Sequence, residues 1–286
     1  MTQDIAKIEQ LAGDRFGQEW EIGISTLTYP HDPVKAIEEF VEAGVSIHHI
    51  ELALGRRVKF GGYIETLLEQ KERYDLKFSV HVPFLYDDLA HPHPEIRKVN
   101  LSEAQKAIEL ANRLGASWVV VHPGHLFLED SLPPVDALEP LQETREFYLE
   151  NASSSITELA DYLPRQDIEL RIENLPSLGK NKKEIRQLIP NNSRTLFLMD
   201  LGHANIPETT SNLLTLEPDH FHLHDNGGKE DRHMKLGAGN IDFSKIFKTI
   251  STYGDKKVII LELYRLSDVK ESLEYFVEIL EEMDRE

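Results

Sequence analysis

From residue 21 onward, short apolar runs rich in β-branched residues alternate with amphipathic stretches of helical period, and eight such pairs can be counted. That alternation limits the chain to very few architectures. The apolar runs fall at 21–25, 47–54, 78–82, 118–122, 168–173, 195–200, 220–224 and 258–263. The helical stretches fall at 33–44, 63–74, 95–115, 137–163, 182–189, 210–216 (short and weak), 243–253 and 268–283. Strands alternating with helices pair in parallel through right-handed crossovers, and eight units closing on themselves make an α/β fold of the (β/α)8 barrel type. The rival is an open doubly wound sheet, which usually carries a Gly-rich phosphate turn; neither GxGxxG nor GxxxxGK[ST] occurs here. Gly44 and Gly115 stand where helices should stop, and Ser267 where the last helix should be capped. The 286 residues divide into a helix or arm over 1–20 and a single barrel domain over 21–286.

In a parallel barrel the carboxyl ends of all strands converge on one mouth, so a polar side chain there reads differently from one elsewhere. Strand three ends in Val80-His81-Val82-Pro83, strand four in Val121-His122-Pro123-Gly124, and strand five in Ile172-Glu173-Asn174. Strand six ends in Met199-Asp200-Leu201-Gly202-His203, strand seven in Phe221-His222-Leu223-His224-Asp225, and strand eight in Leu261-Glu262-Leu263. Any one of these side chains can be a hydrogen-bonded histidine or half of a structural ion pair. Six in succession, each closing an apolar run, would bury unpartnered charge at heavy cost unless a cation is shared among them. The chain has no cysteine, so such a cation must be held by nitrogen and oxygen.

After strand seven comes Asp231-Arg232-His233, then Leu236-Gly237-Ala238-Gly239. A carboxylate two residues before a histidine can chelate one ion from an extended segment, and the glycines would let the loop fold tightly over the mouth. The competing reading is a solvated charged loop over 229–235. Asp200 and His203 could reach one ion or two adjacent ones, with Gly202 permitting a sharp bend off the strand. The candidate ligands are His81, His122, Glu173, Asp200, His203, His222, Asp231, His233 and Glu262. They are too many for one tetrahedral zinc and suit two or three divalent ions, zinc foremost, with manganese or magnesium as substitutes. Trp118, Tyr86 and the His48-His49 pair read as packing or surface residues.

These residues in this order resemble the endonuclease IV family, within the wider xylose-isomerase-like TIM-barrel superfamily that also holds sugar isomerases and epimerases. The likeness runs from about Ile22 to Leu263, through His81-Val82-Pro83-Phe84-Leu85, His122-Pro123-Gly124, Glu173-Asn174, Asp200-x-x-His203, and Asp231-Arg232-His233 followed by Leu236-Gly237-x-Gly239. The resemblance implies three zinc ions: one on His81, His122 and Glu173, a second on Glu173, Asp200, His222 and Glu262, a third on His203, Asp231 and His233. Two departures separate the chain from the DNA-repair members. Strand seven reads His222-Leu223-His224-Asp225-Asn226-Gly227 where they have His-x-Asn-Asp-Ser/Ala-Lys, and Leu175-Pro176-Ser177 stands where they carry a Gly-rich segment. The likeness therefore reaches the metal site more firmly than DNA recognition.

Two enzymatic readings follow. In a phosphoester hydrolase Glu173 would bridge two ions, while Phe84, Leu85 and the run Arg56-Arg57-Val58-Lys59 could contact a nucleic-acid backbone; that run can equally be a solvated loop. In a sugar or sugar-phosphate isomerase one ion would polarise a carbonyl, Glu173 and Glu262 would move the proton, and His81, His122 and Arg232 would bind substrate hydroxyls or phosphate. A non-catalytic metal-binding barrel is the third reading. The multinuclear hydrolase uses all nine ligands and is preferred. A formal charge of −19 disfavours nucleic acid as a partner. No apolar run approaches the roughly 18 residues that span a bilayer, and residues 1–20 are not signal-like, so a cytoplasmic enzyme with a small substrate is expected.

Overall fold

A computed structural model describes residues 5–55, 63–84, 88–126, 138–163 and 168–283, and in it eight parallel strands close into a barrel in sequence order. They are β1 (Glu19–Ser25), β2 (His49–Ala53), β3 (Lys77–His81), β4 (Trp118–Val121), β5 (Glu169–Glu173), β6 (Thr195–Asp200), β7 (His220–Leu223) and β8 (Lys256–Leu261). Pairing of β1 with both β2 and β8 completes the ring. The helices are α1 (Ile5–Phe16), α2 (Pro33–Glu42), α3 (Ile64–Tyr74), α4 (Pro94–Leu114), α5 (Leu138–Tyr162), α6 (Lys182–Leu188), α7 (Leu201–Asn205), α8 (Thr210–Leu214), α9 (Phe243–Ile250) and α10 (Leu266–Met283). Among the described residues no helix is long and apolar enough to cross a membrane.

Side-chain parity divides each strand between two environments. The outward set, including Ile22, Ile24, Ile50, Leu52, Phe78, Val80, Val119, Val121, Ile172, Phe221, Ile259 and Leu261, joins the helices in one large apolar cluster. Inside the barrel the apolar content shrinks to a separate group of Trp118, Val120, Leu198, Val258 and Ile260. The remaining inward positions are small or polar, among them Glu21, Ser25, His49, Glu51, Ser79 and Arg171, all buried. Stability therefore rests on the shell between strands and helices, which leaves the interior free to carry polar chemistry.

Local signals account for most helix ends. Asp32 caps α2 through Lys35 N at 3.0 Å, ahead of Pro33 at the first turn. Gly115 ends α4 in the left-handed conformation at φ 61°. Two local expectations need correcting. The last helix begins at Leu266, so Ser267 lies inside its first turn and meets Asp268 instead of capping it. After β6 the chain does not bend at Gly202 but enters the helical turn α7, capped by Asp200.

Helix α1 lies against β1 and α10, burying Ile5, Ile8 and Ala12. Trp20 anchors that end of the barrel, with Phe16, Phe247 and Phe276 at ring separations of 5.2, 5.5 and 6.2 Å. Phe247 and Phe276 stack at 4.5 Å. Phe276→Ala should cost about 3–5 kcal/mol in urea unfolding, the usual range for a buried aromatic. A loss below about 1 kcal/mol would show that this cluster does not tie α10 to the barrel.

Candidate metal centre

The inward parity that places Ser79, Val120, Arg171, Leu198 and Ile260 inside the barrel delivers His81, His122, Glu173, Asp200, His222 and Glu262 at its carboxyl end. Each stands at the last inward position of its strand or just beyond, and all six are buried. Glu173 is the centre of the group. Its Oε2 lies 3.1 Å from His81 Nε2, 3.3 Å from His122 Nε2 and 3.4 Å from His222 Nδ1. Its Oε1 lies 3.3 Å from His203 Nδ1. His222 Nδ1 is also 3.3 Å from Glu262 Oε1.

The second nitrogen of four histidines is already committed. His81 Nδ1 donates to Val82 O at 2.9 Å, His203 Nδ1 to Asn174 O at 2.9 Å, and His233 Nδ1 to Glu262 O at 2.9 Å. A carbonyl only accepts, so these nitrogens keep a proton and Nε2 is the atom of each ring that can turn a lone pair to a cation, once any proton it carries is displaced. His222 is turned the other way: its Nε2 lies 3.0 Å from Glu51 Oε1, which leaves Nδ1 toward Glu173 and Glu262. This is the arrangement by which metal-ligating imidazoles are oriented.

A short-range device positions the third group. Asp200 Oδ1 accepts from His203 N at 2.6 Å, so the spacing Asp-x-x-His is that of a helix cap and the residue one turn on. Asn174 laces β5 to β6, accepting from Asp200 N at 2.8 Å and donating to Asp200 O at 3.0 Å. His203 Nε2 then lies 3.2 Å from Asp231 Oδ2, which is 3.4 Å from His233 Nε2. His233 takes φ 44°, rare for a non-glycine residue and a form of strain found at functional sites.

The donor atoms fall into overlapping sets, with atoms inside each set within 4.8 Å of one another: His81, His122 and Glu173; Glu173, Asp200, His222 and Glu262; and His203, His224, Asp231 and His233. Glu173 Oε1 and Asp200 Oδ2 are wholly buried and make no hydrogen bond. Carboxylate lone pairs left open among imidazole lone pairs fit a divalent cation, and the nitrogen–oxygen donor set suits zinc or manganese. Burial raises the Glu173 carboxyl, but His222, His122 and His203 outweigh it and hold the group well below the carboxylate range. Burial lowers His203 and His222, yet Asp200 and Asp231 drive the first well up, and Glu262, Glu51 and Glu173 the second.

All nine expected ligands thus meet at one mouth. Phe84 lies beside them, edge-on to His81 at 6.1 Å. Arg232 does not: it is exposed and bonded to Glu230 of its own loop at 2.7 Å. Arg56 and Arg57, with Val58 and Lys59, and also Leu85 and Tyr86, lie outside the described residues. The glycine loop closes on Asp225, whose carboxylate accepts from Asn226 N, Gly237 N, Gly239 N and Ile241 N at 2.8–3.3 Å. A Cβ on Gly239 would strike Asn226 O and Asp225, so glycine is required there by close approach.

Three participants escaped the sequence reading. Glu51 holds His222; His224 stacks on His233 at 3.9 Å; Tyr264 leans over His233 at 4.9 Å. Below them a polar column descends the barrel. Glu51 Oε2 accepts from Ser79 Oγ at 3.0 Å, Ser79 meets His49 Nε2 at 3.1 Å, and His49 Nδ1 meets Glu21 at 2.7 Å. His49, stacked on Trp118 at 4.6 Å, is interior packing, whereas His48 is exposed.

The ligands open into a cavity of about 160 Å³ lined by Leu27, Phe84, His125, Leu175 and Tyr264 beside the metal-ligating candidates. A larger cleft of about 440 Å³ lies outside the barrel, along α8 and α9. It holds no cluster of buried titratable groups, and the smaller cavity is the one with chemistry.

The protonation pattern makes a testable demand. Burial lowers His233, but Asp231 overrides it and pushes the imidazole up to about 9. A cation must displace such protons, so zinc uptake at neutral pH should release protons, and apparent affinity should climb with pH until about 9. Calorimetry in two buffers of different ionisation enthalpy reads this directly. Binding heats independent of buffer would contradict the arrangement.

Comparison with known proteins agrees with this geometry. The chain from residue 37 to 279 matches a family described as the xylose isomerase-like TIM barrel. MJ1311, an uncharacterised protein of Methanocaldococcus jannaschii, is 27% identical over 274 residues, 91% of this chain and 89% of that protein. The crystal structure of a D-tagatose 3-epimerase-like protein is 26% identical, with a TM-score of 0.73 over 93% of this chain and 98% of the other. Endonuclease IV from Thermus thermophilus shares the fold at 21% identity, with a TM-score of 0.64 over 92% of this chain and 99% of its own. The family match extends from α2 to α10, and the chain belongs to the xylose isomerase-like TIM barrel family.

Proposed function

We propose that the protein is a cytoplasmic, multinuclear metal-dependent hydrolase of a phosphoester in a small substrate. The observation that carries this reading is the set His203, Asp231 and His233, standing beside two sets that share Glu173. A one-metal carbonyl isomerase needs only Glu173, Asp200, His222 and Glu262, and would leave that further set without a task. Bound ions would supply Lewis-acid polarisation of a phosphoryl oxygen and offset charge on the leaving oxygen.

The chain's own residues do the rest. Glu173 faces imidazoles of more than one donor set and fixes their spacing. Glu51, Asn174 and the carbonyls of Val82 and Glu262 hold the ligands in orientation. Phe84, Leu175 and Tyr264 wall the cavity and limit water around the reacting group. A charge of −19 and a cavity of about 160 Å³ favour a small anionic substrate carrying few charges over duplex DNA.

A sugar or sugar-phosphate epimerase is the second reading, favoured by the likeness to the D-tagatose 3-epimerase-like structure. Glu173 and Glu262 would then stand on either side of a bound ketose and carry the proton. Each offers an oxygen within 4.8 Å of the other.

Zinc- or manganese-loaded protein should hydrolyse a chromogenic phosphodiester, and Glu173→Gln should lose at least about 100-fold in turnover, as even indirect supports of metal sites cost up to that. Epimerisation of ketoses without phosphoester cleavage would overturn the hydrolase. His233→Ala divides the readings further. The hydrolase loses about one ion per chain and most of kcat. The epimerase keeps its ion and shows mainly a raised KM.

A further inference from the structure

We propose that His125 and Tyr264, on opposite walls of the mouth, read hydroxyl groups on the alcohol part of the substrate, so that the protein acts on phosphoesters of small hydroxylated alcohols; the inference rests on the hydrolase reading above. Among the described residues, every polar side chain lining the cavity belongs to the nine candidate ligands except these two. The remaining walls are the apolar side chains of Leu27, Ala53, Phe84 and Leu175. With the ligands engaged by ions, His125 and Tyr264 supply the side-chain polar atoms that can meet a non-reacting part of the substrate.

Their placement follows from the fold. Strands β4 and β8 stand four apart in the closed ring of eight, so the segments after them face each other across the mouth. His125 comes four residues after β4 ends at Val121, and Tyr264 three after β8 ends at Leu261. The cavity between them is the space left for the part of an ester that the centre does not engage.

Both residues are held in position. The His125 N–H donates to Asp88 Oδ1 at 3.1 Å. The Asp88 segment is itself pinned from two helices, by Asn100 Nδ2 donating to Asp88 O at 2.8 Å from α4 and Ser155 Oγ donating to Leu89 O at 2.9 Å from α5. Gly124, at φ 117°, allows this approach: a Cβ there would strike Asp88 Oδ1 and Ala90 N. The His125 ring is half-buried and stands edge-on to His122 at 6.5 Å. Tyr264 rests on His233 at a ring separation of 4.9 Å and leaves half its surface open to the mouth.

The two tips suit a hydroxyl. A phenol keeps its proton at neutral pH and an imidazole carries at least one N–H, so each offers a donor. An alkyl group in the same place would strip water from both and return no hydrogen bond. A site built to hydrogen-bond a hydroxyl rejects the analogue without it for that reason.

Calorimetric titration of the zinc-loaded protein with methyl phosphate and with glycerol phosphate tests this, since the two share a charged head and differ in hydroxyls. Wild type is expected to bind glycerol phosphate at least about tenfold more tightly. His125→Leu and Tyr264→Phe should each lower that ratio about threefold or more at the wild-type metal content. Tyr264→Phe removes a single oxygen from an exposed residue, so folding is kept in that variant. No preference in wild type, or one that both variants keep, would overturn the inference and leave the hydrolase reading intact. A ratio that falls only together with lost metal would overturn it too. Binding of neither ester, together with no cleavage of a chromogenic phosphodiester, would overturn both.

Discussion

Glu173, Asp200 and Glu262 are buried with oxygens within 4.8 Å of one another at the carboxyl end of the barrel, with Glu51 buried behind His222, and their mutual repulsion has to be answered before the fold can close. The imidazoles of His81, His203, His222 and His233 answer it in part, each pushed above its ordinary range by the carboxylates around it despite burial. That compensation is incomplete, since buried oxygens of Glu173 and Asp200 remain without hydrogen bonds. A divalent ion carries more charge into the same volume and accepts the lone pairs directly. The fit for a cation thus follows from how the interior is filled, independent of which reaction follows.

The outer shell makes such an interior tolerable. Strand residues of outward parity and the helix faces opposite them form one large apolar cluster, while inside the barrel, among the described residues, Trp118, Val120, Leu198, Val258 and Ile260 make a separate small apolar group. A polar column from Glu21 through His49, Ser79 and Glu51 to His222 occupies space that other barrels fill with branched aliphatics. Each of its links is hydrogen-bonded or ion-paired, so it imposes orientation without stranding a charge.

The barrel and the nine candidate ligands were legible because both depend on local pattern. Outward residues such as Val119, Val121, Ile259 and Leu261 are apolar, and His81, His122 and Glu262 stand where those runs stop. Glu51 was hidden for the opposite reason: Ile50 and Leu52 flank it in mid-strand, and only period-two parity marks it as an inward carboxylate. His224 shares the parity of His222 and could have been read with it. Helix α7 has five residues, too few to show a helical period, so Gly202 looked like a bend when its constraint is the ring of His224. Arg232 resembled a substrate anchor because it separates two candidate ligands, yet it is exposed and paired with Glu230 of its own loop.

Family membership narrows the architecture and leaves the reaction to the site, since hydrolases and epimerases share this barrel. What distinguishes the readings is how many cations the mouth holds and whether Glu173 lies between two of them. Crystals of the protein soaked in zinc, measured on both sides of the zinc absorption edge, test this most directly. The account predicts two or three anomalous peaks within the cluster, with Glu173 oxygens between two of them. A single peak on Glu173, Asp200, His222 and Glu262, with none at Asp231, would contradict it.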